Sequence, residues 1–125
     1  AYQVAIAGSY AYLADRSGGL WIVDISEPAK PRGVGRADLP GYVDGVTISG
    51  DYAFLTGRGS GLRIVNIANP ELPMLTGYTP TPGSTYGAAV AGGLIYLADD
   101  EGGLLVLRYT LDPRLDQLRQ RIMVR

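Results

Sequence analysis

Apolar residues alternate with small or polar ones over short stretches, and glycine or proline ends each stretch within a few residues. Residues 45–49 (Gly-Val-Thr-Ile-Ser) carry the two-residue period of a half-buried strand. Gly50-Asp51 interrupts it as a two-residue hairpin connection of a type needing positive φ. Residues 52–56 and 62–67 predict a second and third strand, both rich in β-branched and aromatic side chains. Asn69-Pro70 and Pro73 cannot extend a hydrogen-bonded ladder, so they mark a loop before a fourth, outer strand at 74–78.

The same pattern occurs three times. Gly8-Ser9-Tyr10-Ala11-Tyr12-Leu13 returns as Gly50-Asp51-Tyr52-Ala53-Phe54-Leu55 and as Gly92-Gly93-Leu94-Ile95-Tyr96-Leu97, with an offset of 42 both times. Gly19-Leu20-Trp21-Ile22-Val23 returns as Gly61-Leu62-Arg63-Ile64-Val65 and Gly103-Leu104-Leu105-Val106-Leu107. Residues 3–41 and 45–83 are identical at 17 of 39 positions without a gap. A period of about 40 residues with four short meandering strands per unit favours a propeller blade over the main competitor, a solenoid of stacked hairpins. The third-strand run Leu20, Ile22, Val23 and Ile25 is apolar on both faces, as a sheet sandwiched between two neighbours requires.

The expected fold is therefore all-β: three four-stranded antiparallel units at about 1–41, 42–83 and 84–110, forming part of a β-propeller. Such rings close with about 4–8 blades, so three leave two apolar end faces to be covered. Further blades of a longer chain, a second copy of this one, or another protein could do so.

The runs 19–28 (Gly-Leu-Trp-Ile-Val-Asp-Ile-Ser-Glu-Pro), 61–70 and 10–15 (Tyr-Ala-Tyr-Leu-Ala-Asp) resemble the LVIVD repeat. That resemblance implies β-propeller blades of a bacterial or archaeal surface or secreted protein, generally without assigned catalysis. The third copy departs from the pattern, with Arg108-Tyr109-Thr110 where Asp24-Ile25-Ser26 stands in the first. Beyond it, Leu111, Leu115, Leu118 and Ile122 recur at helical spacing after the N-cap pair Asp112-Pro113. Residues 111–125 are thus read as a short C-terminal helix that caps the last blade, or as an amphipathic segment (Leu111–Arg125) docking on a partner protein. A closing strand from 121–125 is the third reading.

Composition narrows the chemistry. The sequence contains neither cysteine nor histidine, which excludes disulfides, thiolate nucleophiles, Cys/His zinc sites and histidine proton transfer. A formal charge of -1 gives no field to draw in nucleic acid, and no apolar run approaches the ~20 residues of a bilayer span. Gly57-Arg58-Gly59-Ser60-Gly61 resembles a phosphate loop only superficially, since it joins two strands rather than opening a helix. Asp99-Asp100-Glu101 is dense in carboxylates but lacks calcium-loop spacing. No catalytic set, metal site or cofactor is expected.

In a blade, the loops between strands two and three share one end of the sheet with the connections between blades. Positions there that differ between copies are free of the turn's own demands and available for recognition. They nominate Tyr2, Arg16, Tyr42, Asp44, Arg58, Tyr86 and Asp100, a set suited to contact with protein or sugar. Trp21 is assigned to packing between blades. The expected function is a non-catalytic structural or protein-interaction module of an extracellular or cell-envelope protein. A lectin-like propeller binding ligand through one loop face is the alternative.

Overall fold

The computed structural model describes residues 3–58, 61–81, 83–109 and 118–124. They form three antiparallel four-stranded sheets, each a meander in chain order. The first contains β1 (Gln3–Ala7), β2 (Tyr10–Ala14), β3 (Leu20–Asp24) and β4 (Arg32–Ala37). The second contains β5 (Gly45–Ser49), β6 (Tyr52–Gly57), β7 (Gly61–Asn66) and β8 (Met74–Thr79). The third contains β9 (Thr85–Ala91), β10 (Leu94–Asp99), β11 (Gly103–Tyr109) and β12 (Leu118–Val124). No helix occurs among the described residues, and so none that could cross a membrane.

The internal repeat is reproduced in register. Tyr12 pairs with Ile22, and their counterparts one repeat on, Phe54 and Ile64, pair in the same way. The ladder between third and fourth strands slips at Ile22/Val23 in the first sheet and at Ile64/Val65 in the second. Gly19 (φ 77) and Gly61 (φ 69) open the third strands in the left-handed region. A Cβ at Gly19 would strike the carbonyl oxygen of Ala37, and one at Gly61 that of Thr79, the equivalent position in the next copy. These glycines let the end of the fourth strand lie against the start of the third.

The sheets stack face to face. One apolar layer places Tyr12, Ala14, Leu20 and Ile22 of the first sheet against Val46, Leu55 and Val65 of the second. The other places Phe54, Leu62 and Ile64 of the second against Ile95, Leu97, Leu105 and Leu107 of the third. The second sheet thus uses alternate residues of its strands for opposite neighbours, as the pleat dictates. The first strands stand side by side along one edge of the stack. There the Val46 amide donates to Gln3 Oε1 at 2.7 Å, and the Thr47 hydroxyl donates to the Ala88 carbonyl at 2.8 Å.

The C-terminal helix is corrected. Residues 118–124 form β12, antiparallel to β11, with Val106 opposite Ile122 and Leu104 opposite Val124. Helical spacing is a weak signal beside the unpaired donors and acceptors that β11 would otherwise leave along its edge. Pairing satisfies them, and the strand reading of this segment is the one realised, starting earlier than residue 121. Leu111 and Leu115 lie outside the described residues.

Candidate functional site

The structure gathers three of the nominated residues at the end of the stack that carries the β2–β3 and β6–β7 loops. Arg16 and Val43 form an isolated antiparallel bridge, with Arg16 N donating to Val43 O at 2.8 Å and Val43 N to Arg16 O at 3.2 Å. Arg16 is held there at φ 40, the one non-glycine with positive φ among the described residues. The Asp44 amide donates to the Thr56 carbonyl at 2.7 Å. Gly57 permits this approach, because a Cβ there would collide with the Tyr42 carbonyl.

The Asp44 carboxylate is consequently shared by two guanidinium groups. Its Oδ1 lies 3.3 Å from Arg16 Nε, and its Oδ2 lies 3.3 Å from Arg58 Nε. Both arginines are partly exposed and the trio carries one net positive charge. Exposed pairs of this kind contribute about 0.2–1 kcal/mol each. Tyr42 is exposed beside them.

Asp100 falls on the β10–β11 loop instead, and Tyr86 lies near the start of β9. Asp100 accepts from the Ser84 amide at 2.8 Å, and its own amide donates to Ser84 O at 3.0 Å. Tyr86 is exposed. Tyr2 lies outside the described residues.

Sequence reasoning passed over Asp99, which ties the third sheet's loops together. Its buried carboxylate accepts from the Gly102 amide at 2.8 Å, the Gly83 amide at 3.1 Å and the Thr85 hydroxyl at 3.2 Å. Burial alone would push its pKa up, but these donors together with the Thr81 hydroxyl hold it below the usual carboxylate value. A depressed folded-state pKa contributes stability that is present above the unfolded value of about 3.9 and disappears as pH falls through the folded one. Asp99→Asn should therefore be destabilising by about 1–3 kcal/mol near neutral pH. The gap from wild type should narrow below about pH 4 in urea titrations; a gap independent of pH would contradict this role.

Two further features were legible only in part. Within one copy Trp21 lies 36% exposed on the outer face of the first sheet, with the Arg36 guanidinium 4.9 Å from its ring centroid. At the corresponding places in the second sheet the partners are exchanged, Arg63 lying 4.7 Å over Tyr78. Arg63 is 4% exposed and faces the first sheet. Desolvation lowers its pKa, while Tyr78 opposes the shift. At the opposite end of the first sheet, Asp24, Ser26, Glu27, Lys30 and Arg32 line an open depression of about 330 Å³. The Asp24 carboxyl is held below its ordinary value by the Ser26 amide and, less strongly, by Arg32 at 3.5 Å.

Among the described residues no three His, Cys, Asp or Glu side chains gather in a way that could hold a metal ion. The polar groups at the loop end bind loops to one another, and the apolar ones join sheet to sheet. Three like units stacked in one register define a repeat protein of β-sheets. The LVIVD repeat model matches residues 1–38, 40–81 and 82–107, and the chain belongs to the LVIVD-repeat family. Among curated proteins none matches the chain.

Proposed function

We propose that the three sheets are four-stranded, 42-residue blades of a β-propeller, and that the chain is a non-catalytic structural and protein-interaction module. The side-by-side first strands support the blade reading, since they occupy the place of the strands nearest a propeller's axis. The family resemblance supports an extracellular or cell-envelope setting.

One observation carries the interaction role. Among the described residues both end faces of the stack are apolar and carry no further sheet: Val4 is 53% and Ile6 61% exposed on the first sheet, and Leu104 is 41% exposed on the third. Contiguous exposed apolar surface of this kind marks an interaction site. In this reading the ends are covered by further propeller blades.

The test is association measured through stability. The thermal midpoint should rise with protein concentration, because cover that binds only the folded state stabilises it by mass action. An apolar fluorescent dye should bind the dilute chain and be displaced as concentration rises. A midpoint independent of concentration, with no dye binding, would overturn the reading.

A further inference from the structure

The two uncovered faces are the two halves of an interface that the stack already contains. On the open face of the first sheet stand Val4, Ile6, Leu13 and Val23. Their counterparts one repeat on are Val46, Ile48, Leu55 and Val65, the same residue types, and those pack against the first sheet. The surface they meet there includes Tyr12, Ala14 and Leu20. Carried two repeats on, that surface becomes Tyr96, Ala98 and Leu104, again identical, on the face of the third sheet that no other described sheet covers.

Parity supports the assignment. Leu97 pairs with Leu105 and Ile95 with Leu107, and these four turn toward the second sheet. The alternate residues Tyr96, Ala98 and Leu104 therefore turn away from it. One end of the chain presents the leading face of the repeated junction, and the other end presents its trailing face.

We propose that a second copy of this chain closes the ring, the third sheet of each copy packing on the first sheet of the other in the register seen within the chain. The proposal rests on the propeller reading above and adds the partner. Continuity with the internal interface supplies the chemistry of the contact, and counting supplies the stoichiometry. A propeller closes with about 4–8 blades; one copy provides three, two provide six and three provide nine. Head-to-tail contacts close into a ring when the rotation permits and otherwise run on as filaments. The Trp21–Arg36 pair lies in this junction, at the positions that Arg63 and Tyr78 occupy in the internal one.

Light scattering on the purified chain should give a mass near twice 13.3 kDa. Ile6→Glu spoils the first-sheet face and Leu104→Glu the third-sheet face; both sites are exposed within one copy, so each variant should fold. Each alone should run as a monomer, because every junction in the ring joins one face of each kind. Mixed in equal amounts, the variants should recover dimers, since one intact junction remains between them. Circular dichroism of each variant at low concentration should match the wild type. A Leu104→Glu variant that remains dimeric would overturn the proposal by revealing pairing of like faces. Open-ended polymers would overturn it while leaving the need for cover intact. A monomer at every concentration, with no dye binding, would take the propeller-module reading down as well.

Discussion

Phe54→Ala is expected to lower stability by about 3–5 kcal/mol, the range for truncating a buried aromatic side chain. Phe54 is wholly buried between the second and third sheets, packed with Leu62, Ile64, Ile95 and Leu97. Both of its surrounding walls are strands already fixed by ladders, so they cannot collapse into the space left behind. The loss combines lost transfer energy with an unfilled cavity. Against a total of about 5–15 kcal/mol for a folded domain, it removes a large share. Urea denaturation should show a lower midpoint with the slope unchanged. A loss below about 1 kcal/mol would mean that the two sheets do not meet at this residue.

Gly61→Ala is the second large effect. Gly61 sits at φ 69, where a residue with a Cβ carries a penalty of about 1–2 kcal/mol. A methyl group there would also overlap the Thr79 carbonyl, and Leu62 is paired with Thr79 across the same ladder. The fourth strand must shift to make room, so the total should exceed about 3 kcal/mol. Gly50→Ala provides the control. Its φ is 57, but nothing lies within 4 Å of the added methyl, so only the conformational penalty of about 1–2 kcal/mol applies. Equal losses for the two variants in thermal or urea unfolding would show that the close approach at Gly61 is not energetically significant.

The strands of the first two units were legible because sequence and geometry repeat together. A glycine-led turn between alternating apolar stretches specifies a hairpin, and the same hairpin one period later specifies the unit. The end of the chain was less legible. Leu118 and Ile122 fit a helix by spacing, but β-pairing of 118–124 is decided by the edge of β11, a partner that spacing along one segment does not contain. Trp21, assigned to packing between blades, meets no second sheet within one copy for a related reason. Its counterparts in the repeat face other sheets, and among the described residues the first sheet has none on that side.

The loop cluster was legible in part. Equivalence of loops grouped Arg16, Arg58 and Asp44 at one end of the sheets, and the structure joins all three. Asp99 was grouped with its acidic neighbours because charge counting cannot distinguish a solvated carboxylate from one turned inward onto the amides of Gly83 and Gly102. The exchanged cation–π pairs were open to discovery. Trp21 with Arg63 and Arg36 with Tyr78 occupy matching positions, and reading both columns of the repeat together would have paired them.

Hydrogen exchange followed by mass spectrometry at several protein concentrations probes most directly whether each sheet depends on neighbours for cover. The second sheet is covered on both sides, so amides of β6 and β7 should exchange slowest in dilute solution and respond least to concentration. Amides of β2, β3, β10 and β11 should exchange faster when dilute and slow markedly as the chain is concentrated. Protection spread evenly over the three sheets and unchanged by concentration would contradict the account.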